Sequence, residues 1–289
     1  MSRLEGAVAR SPVAAGGRLS HRGHVSVIAY HGVRDPRAFR AQLTAIARFH
    51  SFISPNDLRA WLDGGSLPPN PVLLTFDDGE RSVLDHAAPV LEEMSIDSLL
   101  FVVAGLVDSD TPFWWDEVAD LAPNGLAEVR RLKTVPNAAR LAAIAAMRER
   151  SEEAGVHAMK APQLTSAELR QLADVGFEVG NHSYDHPCLD RCDVAEAGGQ
   201  VERAHLALTK QGFHPTAFAY PNGNLDTRVE TTLGSLGYEL GFLFDHRHTQ
   251  RGRRLRLSRL RLDADASADR ALAILSGVHG MVMRARRRG

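Results

Sequence analysis

Short, mainly apolar runs alternate with longer amphipathic stretches over most of the chain. Such runs are typical of buried parallel strands, and the stretches between them have the periodicity of helices. The alternation predicts βα units around a parallel sheet or barrel, and therefore an α/β fold. The predicted strands are His24 to Tyr30, Pro71 to Phe76, Ser98 to Val103, Phe177 to Gly180, Thr216 to Tyr220, Glu239 to Phe244 and Arg256 to Leu262.

Capping residues mark two of the predicted helix starts. Ser54 precedes a first-turn proline and opens a short helix that ends near Gly64. A capping box, Thr165 to Glu168, opens a helix that ends at Gly176. The other predicted helices are Pro36 to Phe49, Glu80 to Met94, Asp193 to Gln211, Asp226 to Leu236 and Ser267 to Val278.

The βα alternation lapses between Ala104 and Pro162. The sequence Phe113-Trp114-Trp115-Asp116 is followed there by a stretch rich in Ala, Arg and Leu that has helical character. We interpret residues 104–162 as an insertion in a single domain, 23–280, which lies between a flexible tail, 1–22, and a basic tail, 281–289. A chain of 289 residues can form one barrel, although its length also allows two smaller domains.

Four polar clusters directly follow predicted strands. They are Tyr30-His31, Asp77-Asp78, His182 to His186, and Tyr220-Pro221-Asn222-Gly223. In a parallel barrel the carboxyl ends of the strands share one face, where catalytic groups collect. We therefore expect the four clusters to meet.

The adjacent carboxylates of Asp77 and Asp78 call for a neutralising group. Two like charges in a partly dry site are costly unless a cation or a proton neutralises one of them. His182 and His186 could join one carboxylate in binding a divalent ion that keeps open positions for water and substrate. The other carboxylate would then be free to act as a base. Taken alone, two histidines at this spacing are more often ordinary loop residues in a chain with 13 histidines.

The bulk properties exclude some partners. A formal net charge of -1 and a pI near 6.9 give no reason to expect nucleic acid. The basic segments Arg251 to Arg254 and Arg284 to Arg288 are interpreted as a solvated loop and tail, with weak contact to a membrane surface or an anionic glycan as an alternative. We find no apolar run long enough for a signal peptide or a membrane span, so we predict a cytoplasmic protein without stable membrane insertion.

The two cysteines, Cys188 and Cys192, fit a reducing compartment. Their closeness to His186 raises the alternative of a Cys/His zinc cluster. A structural zinc site needs four ligands of its own, so we favour free thiols.

Three motifs resemble those of the polysaccharide deacetylase family, the NodB-homology carbohydrate esterases. They are Thr-Phe-Asp-Asp-Gly at 75–79, His-Ser-x-x-His at 182–186 and Tyr-Pro-x-Gly at 220–223, and their order and rough spacing cover about residues 24–263. The resemblance implies a distorted (β/α)7 barrel that binds Zn²⁺ or a similar divalent ion and removes acetyl groups from sugars. Carried over, it makes Asp77 the general base and makes Asp78, His182 and His186 the metal ligands.

The chain departs from the commoner family pattern in two places. Ala219 stands where an arginine usually orients the base, and the late Leu-x-x-His motif of the general acid is missing. The segment Leu275 to His279 is one residue too long for that motif and has a helical pattern. The circularly permuted branch of poly-N-acetylglucosamine deacetylases is similar to this chain, because a Tyr-His strand end near its amino terminus takes the place of the late histidine.

This similarity makes His31 the candidate general acid. The alternative is that His31 only forms hydrogen bonds with neighbouring loops. For the missing arginine, Arg259 is the predicted substitute, and Arg256 and Arg261 are alternatives on the same predicted strand.

Other residues near the predicted site have supporting roles. The turn Tyr220-Pro221-Asn222 is the predicted oxyanion and substrate site, mainly through the backbone N–H of Asn222. Ser183 is predicted to hold the histidine loop by a side-chain to backbone hydrogen bond. The aromatic residues that could stack on a sugar ring, or instead pack within the protein, are Trp114, Trp115 and Tyr184.

The sequence therefore predicts a metal-dependent hydrolase that removes N-acetyl groups from a carbohydrate substrate, either an oligo- or polysaccharide or its precursor. One alternative is a hydrolase of a non-sugar amide on the same scaffold. Another is an inactive carbohydrate-binding relative, which the intact set of aspartates and histidines disfavours. The sequence makes no prediction of oligomeric state.

Overall fold

Eight parallel strands form the central sheet of the computed structural model, which describes residues 23–156 and 158–277. Seven of them correspond to the predicted strands, and the short β2 is an addition that pairs with the beginning of β3. The strands are β1 (Ser26–Tyr30), β2 (Ser51–Phe52), β3 (Pro71–Phe76), β4 (Ser98–Val102), β5 (Phe177–Asn181), β6 (Ala217–Ala219), β7 (Leu240–Phe242) and β8 (Leu260–Arg261).

The sheet closes on itself through the segment 257–261. The strand order is β7-β6-β5-β4-β3-β1-β8, with β2 beside β3. Leu257 donates its N–H to the carbonyl of Gly241 in β7 at 2.7 Å, and Leu260 pairs with Ile28 of β1. The segment 257–261 thus pairs with β7 at one edge of the sheet and with β1 at the other. The strands other than β2 form a distorted (β/α) barrel, which confirms the predicted fold class.

The alternation of side chains along the strands brings the Asp77 carboxylate to the barrel interior. Leu73, Leu99 and Phe101 belong to one apolar cluster, whereas their neighbours along the strands pack in the larger core cluster with the helices. Because side chains alternate across a strand, Leu73, Thr75 and Asp77 point to the same side. Asp77 continues the ladder beyond β3, since its N–H donates to the carbonyl of Tyr30 at 2.9 Å.

Helices cover the outside of the barrel, and both predicted capping residues cap their helices. Ser54 accepts a hydrogen bond from the N–H of Asp57, and Thr165 accepts one from the N–H of Glu168. The helices are α1 (Pro36–Ala47), α2 (Pro55–Leu62), α3 (Ala88–Met94), α4 (Trp114–Leu121), α5 (Gly125–Leu132), α6 (Asn137–Glu153), α7 (Ser166–Asp174), α8 (Val194–Lys210), α9 (Thr227–Ser235) and α10 (Ala268–Leu275).

Two elements differ from their predicted form. The helix predicted from Glu80 begins as a π-helical turn, Val83–Ala87, in which Ala88 donates to the carbonyl of Val83. Pro89 explains this turn, because it lacks an N–H and its ring would clash with the carbonyl four residues earlier in an α-helix. The strand predicted from Arg256 to Leu262 is mostly irregular, since it changes its pairing partner from β7 to β1 within a few residues.

The stretch 104–162 forms the three helices α4, α5 and α6 and carries a small core of its own. Its buried members are Trp114, Val118, Leu132, Ile144 and Met147. The predicted tails, 1–22 and 281–289, and the end of the last predicted helix at Val278 lie outside the described residues. Within 23–156 and 158–277, every helix is too short or too polar to cross a bilayer.

Candidate active site

The four predicted polar clusters meet at the carboxyl end of the barrel. His31 follows β1, Asp77 and Asp78 follow β3, the histidine loop follows β5, and the turn at Asn222 follows β6. They border a cavity of about 290 Å³. Its lining residues are His31, Asp77, Asp78, Trp115, Val129, Lys133, His182, His186, Asn222, Gly223, Phe244 and Arg261.

Asp78, His182 and His186 form a buried group of potential metal ligands. Their candidate ligand atoms all lie within 4.8 Å of one another. The Oδ1 atom of Asp78 is 3.4 Å from the Nε2 atom of each histidine, and it accepts no hydrogen bond from the described residues. A buried carboxylate oxygen without a donor, facing two imidazole nitrogens, fits a divalent cation with open coordination positions.

The protonation states of this group also fit a cation. Burial opposes the charge of Asp78, but the neighbouring imidazoles hold the pKa of its carboxyl well below the usual value. Burial lowers the pKa of His186 to about 3, so its imidazole is neutral. Burial lowers the pKa of His182, but the carboxylates of Asp77 and Asp78 outweigh this effect, so the pKa is raised. The two aspartates therefore attract positive charge to the place where the histidines meet them.

Hydrogen bonds outside the group fix the two histidines. The Nδ1 of His182 donates to the carbonyl of Ala219 at 2.7 Å, which leaves its Nε2 facing Asp78. The N–H of His186 donates to Ser183 Oγ at 3.1 Å, as predicted for that serine. The carbonyl of His186 accepts a hydrogen bond of 3.0 Å from Trp114 Nε1. The histidine loop is thus held from the barrel and from the helical insertion.

Arg259 pairs with both oxygens of Asp77. Its Nη1 lies 2.7 Å from Asp77 Oδ1 and its Nη2 lies 2.9 Å from Asp77 Oδ2. Arg259 is fully buried and also donates to Thr75 Oγ1 at 3.1 Å and to the carbonyl of Leu243 at 3.0 Å. Burial raises the pKa of Asp77, but the guanidinium and the imidazole of His182 more than compensate, so the pKa is lowered. Asp77 is therefore an oriented, ionised carboxylate.

The other arginines considered at the sequence level lie elsewhere. Arg256 forms a bidentate pair with Glu230 on the outside of the barrel. Arg261 is exposed and borders the cavity. His31 lies on the open side of the cavity, with its Nε2 atom 3.9 Å from Asp78 Oδ2 and 38% of its side chain exposed.

The turn after β6 places only Asn222 of its three predicted site residues in the cavity wall. The side chain of Tyr220 is buried in a different cluster, and its hydroxyl donates to the carbonyl of Leu255 at 3.1 Å. Its N–H donates to the carbonyl of Phe242, and Pro221 has no N–H to offer. The predicted placement of Tyr220 and Pro221 at the cavity is thereby corrected. Asn222 has a left-handed backbone, with φ 57°.

Gly223 gives a test of how tightly this turn is packed. Its φ is 73°, and a Cβ atom there would lie 1.9 Å from Phe244 Cβ. Gly237 has a φ of 79° with nothing within 4 Å of such an atom, so it is a matched control. We expect Gly237→Ala to cost about 1 kcal/mol for the left-handed backbone. We expect Gly223→Ala to cost about 2–4 kcal/mol, because overpacking adds to that strain. Urea denaturation of both variants checks the difference, and equal costs would show that only the backbone angle matters.

The aromatic residues separate into different environments. Trp114 is buried in the core of the insertion, whereas Trp115 borders the cavity with its ring 4.7 Å from the His186 ring. Tyr184 lies under the guanidinium of Arg203 and is not part of the lining. Sequence reasoning missed Val129, Lys133 and Phe244, since their place at the cavity depends on how loops and the insertion pack.

Both cysteines are buried free thiols. Among residues 23–156 and 158–277, neither belongs to a group of potential metal ligands. Cys188 instead accepts a hydrogen bond of 3.3 Å from the Asn222 amide.

Three solved structures share the fold of this chain. The Streptococcus pyogenes deacetylase PplD has 18% identity and a TM-score of 0.62, covering 88% of this chain and 98% of its own. IcaB from Ammonifex degensii has 22% identity and a TM-score of 0.62, covering 88% and 97%. A de-N-acetylase from Aggregatibacter actinomycetemcomitans has 15% identity and a TM-score of 0.64, covering 87% and 99%. At these identities the similarity establishes a common fold.

None of the curated proteins matches this chain. The family model described as polysaccharide deacetylase matches residues 64–241, which is more than half of the chain. The matched range includes the aspartate pair, the histidine loop and the turn after β6, whereas His31 and Arg259 lie outside it. The chain belongs to the polysaccharide deacetylase family.

Proposed function

We propose that this deacetylase removes N-acetyl groups from an N-acetylated sugar with the help of a divalent metal ion, most consistently Zn²⁺. The observation that carries the proposal is the presence of two differently held carboxylates in one cavity. Asp78 faces two imidazoles, and Asp77 is paired with Arg259. The first arrangement suits a metal ligand, and the second suits a base.

The ligands in this proposal are Asp78, His182 and His186. A divalent ion held there would act as a Lewis acid and would lower the pKa of water toward about 7. Two imidazoles and one carboxylate are typical of Zn²⁺ sites, whereas Mg²⁺ prefers oxygen ligands. The Oδ1 of Asp78 supports this assignment, because it is buried and accepts no hydrogen bond from the described residues. A cation would provide the missing partner.

Asp77 is the proposed general base. Each of its oxygens accepts one hydrogen bond from Arg259, and a carboxylate oxygen has a second lone pair for another proton. The guanidinium fixes the plane of the carboxylate and keeps it ionised, so that it can accept the proton of the attacking water. The backbone of the turn at Asn222 is the proposed site for the oxyanion.

His31 is the proposed general acid. Its imidazole borders the cavity and is partly exposed, so it can exchange protons with solvent. From this position an imidazolium could donate a proton to the leaving amine of the sugar. Because His31 and Arg259 lie outside the range of the family match, their proposed roles rest on the geometry of this site.

The test is acetate release by the purified protein, stripped of metal and then reloaded with Zn²⁺, Co²⁺ or Ni²⁺. We expect about one ion per chain, and acetate release from N-acetylglucosamine and its short oligomers only after reloading. Release from N-acetyl amino acids alone would favour the non-sugar amide hydrolase. Failure to take up any of the ions, together with no acetate from any compound, would favour an inactive carbohydrate-binding relative.

A further inference from the structure

Two cationic side chains, Lys133 and Arg261, border the cavity. Lys133 directly follows α5 in the insertion and is half-buried. Arg261 is the last residue of β8 in the barrel. Both are part of the cavity lining. The two parts of the chain therefore each contribute one positive charge to the wall around the reacting groups.

Among the described residues, Lys133 has no partner that neutralises its ammonium. Within the described ranges its ammonium forms no ion pair within 4.0 Å and donates no hydrogen bond. Two other cations of the insertion do have partners, since Arg131 binds Glu128 and Lys160 binds Asp110. Arg130 and Arg150, like Lys133, form no ion pair with the described residues, but both are exposed and neither lines the cavity. The ammonium of Lys133 is close enough to the His186 imidazole to interact with it electrostatically, and both residues line the cavity. An unpaired ammonium in the partly buried wall of the cavity is suited to bind an anionic group of a ligand.

Arg261 is also available to a ligand. Its nearest carboxylate in the described structure is Asp263, with Nε and Oδ1 3.9 Å apart and both side chains more than half exposed. A pair of this kind is weak and yields easily to a better acceptor. The guanidinium lies 5.9 Å from the Phe244 ring, and Phe244 in turn contacts His31. Lys133 thus lies on the His186 side of the cavity, and Arg261 lies on the His31 side.

The remaining charges of the cavity do not cancel these two cations. Asp77 is already neutralised by Arg259, and Asp78 would be neutralised by the proposed metal ion. The carboxylates of Glu80 and Asp116 are not part of the lining, and that of Glu80 is directed at Gly32 and Ser82. The lining of the loaded cavity consequently carries net positive charge, which a neutral sugar would leave uncompensated.

We propose that the substrate is an N-acetylated sugar that carries an anionic group, bound by Lys133 and Arg261. This inference rests on the proposed deacetylase function and narrows its substrate class. A cavity of about 290 Å³ is at the small end of the range for ligand sites, which suits one sugar ring with its substituents. The anionic group is either a carboxylate on the sugar or a phosphate ester, because both accept hydrogen bonds from lysine and arginine.

The experiment compares kcat and KM of the metal-loaded protein for neutral and anionic probes. The probes are N-acetylglucosamine, its 1-phosphate and 6-phosphate, and N-acetylmuramic acid as the carboxylate. We expect kcat/KM for at least one anionic probe to exceed that for N-acetylglucosamine about 10-fold, mainly through KM, and to decline as salt is added. The phosphate and carboxylate probes identify the source of the charge.

Substitutions of Lys133 and Arg261 test whether these two cations cause the preference for anionic probes. In Lys133→Gln and in Arg261→Gln, we expect the ratio of anionic to neutral kcat/KM to fall about 5-fold each. Lys133→Arg should keep most of the preference, because it retains the charge. The matched control is Lys160→Gln, which removes an 81% exposed lysine of the same insertion and should leave the ratio unchanged.

Two failures can be told apart. Acetate release with no preference for an anionic probe, and no change of the ratio in Lys133→Gln, would overturn the inference and leave the deacetylase function standing. If no probe releases acetate, titration calorimetry of the same metal-loaded proteins decides the question of binding. Tighter binding of an anionic probe that Lys133→Gln weakens would support the anionic subsite, and equal binding would overturn it.

Discussion

Asp77→Asn should abolish acetate release without loss of the proposed metal ion. Loss of a positioned general base typically costs about 10²-fold to 10⁴-fold in rate, and the amide of asparagine cannot accept the proton of water as a carboxylate does. The introduced amide also turns a donor NH₂ group toward Arg259, whose guanidinium can only donate, so at most one of the two hydrogen bonds survives. Metal content measured by mass spectrometry and kcat for acetate release give the two readouts.

His182→Ala should give the complementary result, with loss of both metal and activity. The substitution removes one of the three proposed ligands and leaves the carbonyl of Ala219 without its donor. A suitable control is His205→Ala, because His205 contacts the hydroxyl of Tyr238 outside the cavity. The His205→Ala protein should keep its metal. An Asp77→Asn protein with full activity would refute the assignment of the base. An Asp77→Asn protein without metal would instead show that Asp77 is a ligand.

The strands and the polar residues at their ends were predictable because both are local properties. An apolar run such as Pro71–Phe76 is buried on both faces, and whatever follows it must emerge at the carboxyl edge of a parallel sheet. This reasoning brings Asp78, His182 and His186 to one place without any knowledge of side-chain packing. The structure brings the three together within 4.8 Å.

The burial of individual side chains, and the packing of segments that are distant in the sequence, were not predictable in the same way. In the predicted strand Arg256 to Leu262, Arg259 and Arg261 would share a face, because they are two residues apart. The segment is mostly irregular instead, and Arg259 is fully buried against Asp77 whereas Arg261 is 56% exposed. Tyr220 has the sequence context of a site residue, but its ring packs in another cluster. Lys133 reaches the cavity only because α5 docks over the barrel mouth, and no local pattern encodes that contact.

Arg259→Met should destabilise the protein by about 3–5 kcal/mol at neutral pH. The substitution preserves most of the buried volume but leaves Asp77 as an uncompensated buried charge. Arg256→Met is the matched control, because it removes a guanidinium from a solvent-accessible pair with Glu230, in which each side chain is 23% exposed, and should cost at most about 1 kcal/mol. Urea denaturation of the metal-free proteins measures both costs. A cost for Arg259→Met as small as that of the control would contradict the proposed importance of the pair.

The cost of Arg259→Met should shrink in acid. In the natural protein the pKa of Asp77 is lowered, so its pairing contributes stability above the usual aspartate pKa of about 3.9, and this contribution is lost as the pH falls through the folded-state value. Without Arg259, the effect of burial on Asp77 is opposed by the weaker influence of the imidazoles of His182 and His31, and the pKa of Asp77 rises. The variant then takes up the proton at a higher pH. The acid limb of its kcat/KM profile should move upward in pH for the same reason.

A double-mutant cycle separates the effect of Arg259 on Asp77 from its packing. If Arg259 stabilises the protein mainly by neutralising Asp77, then Asp77→Asn should remove much of the cost of Arg259→Met, because no buried charge is left unpaired. Packing against the rings of Phe101, Phe242 and Phe244 is lost in both backgrounds and cancels in the cycle. A coupling near zero would mean that Arg259 acts through those rings and through its bond to Leu243. A coupling of about 2 kcal/mol or more would identify Arg259 as the residue that holds the proposed base. It would then take the role that an arginine at the position of Ala219 usually has in the family.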